Sequence, residues 1–229
     1  MRVTPPGGIA IITACLKRAG YYNIDLFDAT WFPIDTELAS ARADRDKERS
    51  KRGMMPEYTW DGTGFRIENV DMYDAWRDKV IDFNPDVIIS SLVEDTYFIW
   101  QKMMSRVIDQ SFISIVGGVF PTAAPHLFDD KCDYLCRGEG DEAIPEMMDR
   151  ISEGKSCKDL LNVWPNPLRP VVDVNTLPIT DHTIFPDKSL YRPFQGKIVK
   201  IATIETQRGC PFKCAYCNSP GKNTLYAEE

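Results

Sequence analysis

Three cysteines near the end of this 229-residue chain have the spacing of a metal or redox site. Cys210, Cys214 and Cys217 are separated by three and two residues in the segment GCPFKCAYC. Three thiolates on one tight loop can each ligate one iron of a cubane cluster, which leaves the fourth iron open to a substrate or cofactor. A structural zinc site needs four ligands, and the nearest spare candidates, Cys157 and His182, lie far upstream. The spacing therefore favours an iron–sulfur cluster over zinc or free thiols.

The composition is that of a soluble globular chain. The 27 basic and 34 acidic residues give a net charge of −7, so nothing suggests a nucleic-acid-binding surface. No apolar run approaches the ~18 residues of a membrane span, and no signal-peptide cleavage site follows the first apolar stretch. Seven cysteines are an odd set, which argues against a fully paired disulfide framework. We therefore expect a cytoplasmic protein.

A regular alternation of helices and short apolar strands predicts the scaffold that positions this chemistry. Strands of continuous apolar residues separated by helices imply an α/β, Rossmann-like (flavodoxin-like) parallel sheet with helices on both faces. The predicted strands are 24–27, 86–90, 112–116 and 133–136, and the predicted helices are 8–20, 72–83, 95–110, 122–128 and 142–153.

Ligands of such sheets bind outside the carboxyl ends of the strands. That rule marks the loops at residues 90–96, 117–122 and 137–141. A doubly wound sheet normally begins with its central strand, whereas the first element here is a helix, so we expect a fragment whose first strand is missing. Residues 1–154 would form this domain.

The composition and the hydrophobic periodicity of the sequence change at residue 155. Residues 155–196 are rich in proline and have little periodic pattern, which predicts an interdomain linker. A strand predicted at 198–206 then delivers the cysteines at its carboxyl end. Residues 197–229 are thus expected to be the start of a second domain.

The cysteine segment resembles the signature of the radical S-adenosylmethionine (SAM) superfamily. The resemblance comprises the spacing of the three cysteines, the aromatic Tyr216 before the last of them, and the arginine-glycine-cysteine-proline lead-in from Arg208 to Pro211. It implies a [4Fe–4S] cluster on the three cysteines, with SAM bound near Tyr216 and cleaved by an electron from the cluster. It also implies a truncated barrel, a flavodoxin- or ferredoxin-type reducing partner, a small-molecule substrate, and a second chain as one way to complete the barrel.

The upstream domain resembles the cobalamin-binding domain that precedes the barrel in one branch of that superfamily. Ser90-Ser91-Leu92 matches its Ser-x-Leu motif, and the segments GGVFPT and RGEGD match its GGxxPT and RGEGE loops, with Asp141 in place of a glutamate. Small residues there let the backbone close on the nucleotide tail of the cofactor. The implied cobalamin contacts are Ser90, Leu92, Gly117, Gly118, Thr122, Gly138, Glu139 and Gly140.

The histidine motif that ligates cobalt in other cobalamin domains is missing, so the resemblance implies cobalt without a protein imidazole. His126 and His182 are the two histidines of the chain. We interpret His126 as a surface or capping residue and place His182 in the linker. Cys132 and Cys136 have a spacing that suits core packing.

The resemblances together imply the amino-terminal part of a cobalamin-dependent radical SAM enzyme. Its branch contains methyltransferases and proteins like the anaerobic magnesium-protoporphyrin IX monomethyl ester cyclase. Two alternatives stay open at this point. One is a non-catalytic cobalamin-binding module, and the other is a flavodoxin-like electron carrier with an added iron–sulfur cluster.

Overall fold

A three-stranded parallel sheet organises the protein. The computed structural model describes residues 5–33, 48, 51, 52, 66, 68–194, 197–206, 208 and 209. The strands β1 (Val87–Ser91), β2 (Ile113–Gly117) and β3 (Tyr134–Leu135) lie in the order β1-β2-β3. The predicted α/β parallel sheet is therefore confirmed, and the described ranges contain no closed barrel.

Helices cover both faces of this sheet. The helices are α1 (Gly7–Arg18), α2 (Met72–Phe83), α3 (Tyr97–Ser105), α4 (Val119–Ala123) and α5 (Ala143–Ser152). Neighbouring strand residues point to opposite faces, and in β2 both directions are buried. Ile115 packs with Leu16 of α1 and Met147 of α5, whereas Val116 packs with Trp100 of α3 and Phe128. None of the helices among the described residues is long and apolar enough to cross a membrane.

Local signals explain why α2 has the predicted bounds. The side chain of Asp71 accepts hydrogen bonds from the backbone N–H groups of Tyr73 and Asp74, which caps the first turn. Asn84 ends the helix in the left-handed conformation, with φ 47°. Other predicted helices are shorter or shifted: the helix predicted at 95–110 ends at Ser105, and the one predicted at 122–128 is split between α4 and a 3₁₀ turn, Pro125–Phe128.

The prediction of a strand at residues 24–27 is wrong. This segment forms no strand and has no strand partner among the described residues. Between it and the edge of β1 lies an open cleft whose walls include Ile24, Val87 and Ile89. A strand needs a neighbour to supply its hydrogen bonds, and none of the described residues takes that position beside residues 24–27.

Among the described residues, no strand pairs with the edge of β1 that faces this cleft. The carbonyl of Asp86 and the N–H of Leu92 form hydrogen bonds to β2. In a parallel pair every second residue bonds to the same neighbour, so the N–H and carbonyl groups of Ile88 and Ser90 also face β2. The peptide groups of Val87, Ile89 and Ser91 therefore face the cleft. Ile89, in the middle of this apolar strand, lines the cleft and is 38% exposed.

The proline-rich segment packs on the sheet domain. Cys157 and Val163 are buried in the core that also contains Ile115 and Ile144. The segment ends in an antiparallel hairpin of β4 (Tyr191–Phe194) and β5 (Lys197–Lys200), which the sequence pattern did not predict. The strand predicted at 198–206 accordingly ends at Lys200, and residues 201–206 lie outside any strand.

Candidate functional site

The carboxyl ends of the strands open into a large cleft. Its volume is about 1730 Å³, and it continues along the free edge of β1 beneath α1. The end of β1 and the loops after β2 and β3 contribute to its walls, in line with the fold rule. Seven of the eight predicted cobalamin contacts line it: Ser90, Gly117, Gly118, Thr122, Gly138, Glu139 and Gly140.

Leu92 is the predicted contact that lies elsewhere. Its side chain is 5% exposed and packs with Trp100, Val116 and Phe128, on the face of the sheet that α3 covers. The backbone of Leu92 does border the Gly-Gly loop, since its N–H donates to the carbonyl of Gly117 at 2.9 Å. The Ser-x-Leu motif thus places its leucine in the core and its serines at the cleft.

The Gly-Gly pair is required by the local backbone. Gly118 has φ 105° and ψ −174°, a conformation that is essentially restricted to glycine. A Cβ atom at this position would lie 2.8 Å from both the nitrogen and the oxygen of Leu92. At Gly117 a Cβ would lie 3.3 Å from the carbonyl oxygen of Cys136. The two glycines therefore bring the loop after β2 close to the loop after β1 and to the end of β3.

Thr122 joins two of the predicted ligand loops. Its hydroxyl donates to the carbonyl oxygen of Gly118 at 2.8 Å and accepts from the N–H of Gly138 at 2.9 Å. The side chain is buried, with 7% exposed. Because one buried hydroxyl donates to one loop and accepts from the other, it holds the two loops at a fixed separation.

Arg208 lies in the cleft, paired with carboxylates from the loop after β3. Its Nη1 is 2.9 Å from Glu139 Oε1 and 2.7 Å from Asp141 Oδ2, and its Nη2 is 2.9 Å from Asp141 Oδ1. Its Nε donates to Glu205 at 2.9 Å. The side chain of Arg208 is 9% exposed, and that of Asp141 is 4% exposed. Hydrogen bonds to Asp141 raise the pKa of Arg208 above its ordinary value, so the guanidinium stays charged.

In the sequence motifs Arg208 belongs only to the cysteine lead-in, and its pairing with these carboxylates was not predicted. The signal was present in the two carboxylates of the RGEGD loop, which face the predicted ligand edge. Glu139 also accepts from the backbone N–H of Val172 at 2.7 Å through its second oxygen. Three segments that are distant in sequence therefore meet at this loop.

Cys210, Cys214, Cys217 and Tyr216 lie outside the described residues, so their prediction remains one from sequence. The described residues end at Gly209, one position after Arg208, and Gly209 has φ 84°. Within the described ranges, no cluster of histidine, cysteine and carboxylate side chains is arranged to hold a metal ion.

The remaining cysteines belong to the packed interior. Cys15, Cys136 and Cys157 are buried, and Cys132 is half-buried. Burial raises the pKa of Cys15 to about 11, and that of Cys136 and Cys132 to about 12. Such thiols are neutral at physiological pH and unreactive. The prediction that Cys132 and Cys136 serve core packing is confirmed.

The two histidines are placed as structural residues. His126 is exposed in the 3₁₀ turn after α4, as predicted. His182 Nε2 accepts the backbone N–H of Thr203 at 3.0 Å, which ties the proline-rich segment to the chain leading toward the cysteines. That bond occupies a nitrogen lone pair that a metal would need.

The chain is similar to a protein from Pyrococcus horikoshii that is described as an uncharacterized methyltransferase. The two are 29% identical over 154 residues, which cover 60% of this chain and 32% of the relative. The chain thus spans about a third of the length of that relative. No protein-family model matches the chain, and no solved structure matches it.

Proposed function

We propose that the chain is the cofactor-binding, amino-terminal part of a radical SAM methyltransferase that uses cobalamin. The observation that carries this proposal is the cysteine triad directly after Arg208, a residue anchored at the carboxyl edge of a Rossmann-like sheet. Similarity to a protein described as a methyltransferase supports the reaction class. The substrate would be a small molecule, and a flavodoxin- or ferredoxin-type protein would supply the electron.

The donor set suits an iron–sulfur cluster. Cys210, Cys214 and Cys217 would hold three irons as thiolates, and the fourth iron would bind SAM beside Tyr216. The other four cysteines pack in the protein with raised pKa values, so they do not compete as ligands. A reduced cluster, when bound, supplies the electron that cleaves SAM.

The cleft suits a large organic cofactor. Its volume of about 1730 Å³ includes the groove along the open edge of β1, and the part at the carboxyl ends of the strands is the part assigned to the cofactor. Ser90 and Ser91 offer hydroxyl groups at its wall, and the backbone of the Gly-Gly loop approaches without side chains. Val119, 57% exposed, provides an apolar surface next to that loop. Cobalamin bound there would supply the transferable methyl group.

The domain boundaries follow from the same proposal. Residues 1–154 would be the cobalamin-binding domain, 155–196 the connecting segment, and 197–229 the start of the radical SAM domain. The open edge of β1 fits one additional parallel strand as part of the complete sheet, because Val87, Ile89 and Ser91 present their peptide groups there.

Substitution of one cluster cysteine tests the first half of the proposal. In Cys214→Ala we expect the iron content after anaerobic reconstitution to fall well below that of the unmodified chain, because a cubane needs all three thiolates. Cys132→Ala, which removes a half-buried core thiol, is the matched control and should keep its iron. Equal iron content in Cys214→Ala and the unmodified chain would contradict the cluster assignment.

A bulky side chain at the cleft tests the second half. Val119→Trp places an indole in the cleft, whereas Ile108→Trp changes an apolar residue, 85% exposed, that is outside the cleft lining. We expect Val119→Trp to lose hydroxocobalamin on desalting and Ile108→Trp to retain it. Retention by both variants would place cobalamin elsewhere, and binding of flavin in its place would favour the electron-carrier alternative.

A further inference from the structure

The carboxylates of the RGEGD loop have protein partners for every side-chain oxygen. Both oxygens of Asp141 accept from Arg208, one oxygen of Glu139 accepts from Arg208, and the other accepts from the N–H of Val172. These groups are nearly excluded from water, with side-chain exposures of 9% for Glu139 and 4% for Asp141. A buried carboxylate needs such compensation, and here Arg208 provides the positive charge.

The pairing joins parts of the chain that are far apart. Asp141 and Arg208 are 67 residues apart, and Glu139 and Arg208 are 69 apart. Arg208 lies two residues before Cys210. A bidentate guanidinium–carboxylate pair fixes both distance and orientation, which a single hydrogen bond does not.

The loop itself is held from its other side. The side chain of Asn162 donates from Nδ2 to the backbone carbonyl oxygen of Glu139 at 2.7 Å. The backbone carbonyl oxygen of Asn162 accepts from the N–H of Arg137 at 2.7 Å. Asn162 is 2% exposed. Arg208 therefore binds to a loop that is also held by Asn162 of the proline-rich segment and, through Gly138, by Thr122 of the sheet domain.

We propose that Glu139, Asp141 and Arg208 form an ionic clamp that positions the cysteine segment at the carboxyl edge of the sheet. Arg208 is then a positioning residue for the iron–sulfur cluster, and Glu139 and Asp141 act through Arg208 instead of contacting cobalamin. The inference rests on the proposed function. It assigns the acidic loop, which the resemblance connected with the cofactor, to the junction between the two cofactor sites.

The first test needs no bound cofactor. In Arg208→Met, which keeps an unbranched side chain and removes its charge and donors, the amide of Val172 should exchange with solvent at least about tenfold faster. Arg77→Met is the matched control, since Arg77, which lies on α2, forms an exposed ion pair with Asp109. An unchanged exchange rate at Val172 in Arg208→Met would overturn the clamp.

The second test asks whether the clamp positions the cluster. Pulsed electron paramagnetic resonance measures the distance between the reduced cluster and cob(II)alamin in the loaded chain. We expect a single narrow distribution in the unmodified chain and a broadened one in Arg208→Met, with iron content unchanged. Arg208→Lys should recover the distribution in part, because it restores the charge without the guanidinium fork. The same narrow distribution in Arg208→Met would contradict the positioning role.

A double-variant comparison tests whether Arg208 and Asp141 act as one unit, and Asp141→Asn by itself keeps the proposal testable if Arg208→Met folds poorly, because it should also speed exchange at Val172. Asp141→Asn retains the shape of the side chain and removes its charge. If the two residues act as one unit, Arg208→Met combined with Asp141→Asn should raise exchange at Val172 no more than Arg208→Met alone. Additive effects would overturn the clamp. Absence of an iron–sulfur signal in the unmodified chain would instead contradict the proposed function, and the exchange test would stand apart from it.

Discussion

At the scale of single residues, the predicted cofactor contacts are also structural residues. Thr122 joins two loops through its hydroxyl, Glu139 pairs with Arg208, and Gly118 allows its loop to contact the backbone of Leu92. Motif matching alone cannot separate the two roles, because the same residue types serve both. The geometry separates them, since it shows which polar atoms already have partners.

Gly118 provides a quantitative prediction. Gly118→Ala should lower the free energy of unfolding for two reasons. Alanine is unfavourable in this backbone conformation, at a cost of about 1–3 kcal/mol, and its Cβ would lie 2.8 Å from the backbone of Leu92, which forces neighbouring atoms to move at a cost of about 1–3 kcal/mol more. Gly154→Ala is the control, because Gly154 has φ 67° with nothing near the added methyl. We expect it to lose about 1–2 kcal/mol. Urea unfolding measures both, and equal losses would contradict the close approach at Gly118.

The thiol of Cys15 provides a prediction about pH. Burial raises its pKa to about 11 from an ordinary 9.0, so between these values the folded chain binds more protons than the unfolded chain. The contribution of this thiol to the free energy of unfolding is complete below pH 9 and falls as pH rises toward 11. At pH 8 we also expect alkylation of Cys15 by iodoacetamide to be about 100-fold slower than that of an ordinary thiol. Peptide mass spectrometry checks this, and rapid labelling of Cys15 would be inconsistent with its burial.

At the scale of elements, the free edge of β1 makes an alternating prediction for amide exchange. The N–H groups of Ile88 and Ser90 bond to β2, whereas those of Ile89 and Ser91 face the cleft. We expect Ile89 and Ser91 to exchange at least about tenfold faster than Ile88 and Ser90. Nuclear magnetic resonance resolves the individual amides. Uniform protection along β1 would mean that the edge is already paired.

The same elements show how far sequence reasoning reached. The bounds of α2 were predicted because its signals are local: an aspartate before the first turn and an asparagine after the last. The strand at residues 24–27 was predicted from its apolar residues and is wrong, because a strand also depends on a neighbour that sequence periodicity does not reveal. The pairing of Asp141 with Arg208, across 67 residues, lies beyond any local pattern.

At the scale of the whole molecule, the proline-rich segment connects the two ends of the described chain. Lys17 of α1 forms an ion pair with Asp181 at 2.5 Å, and the hydroxyl of Thr203 donates to the carbonyl of Pro5 at 2.9 Å. The prediction of a linker rested on a lack of periodicity, which describes local structure and says little about packing. Through these contacts the chain approaching Arg208 returns to the carboxyl edge of the sheet, where the cleft lies.

The most direct measurement of the central claim is an anaerobic ultraviolet–visible spectrum of the whole chain. The chain would be reconstituted with iron and sulfide, incubated with hydroxocobalamin, and desalted. We predict corrin bands together with a broad iron–sulfur shoulder, because the cysteine triad and the cleft would each retain their cofactor. A spectrum with neither feature would contradict the account, and an iron–sulfur shoulder without corrin bands would contradict the assignment of the cleft to cobalamin.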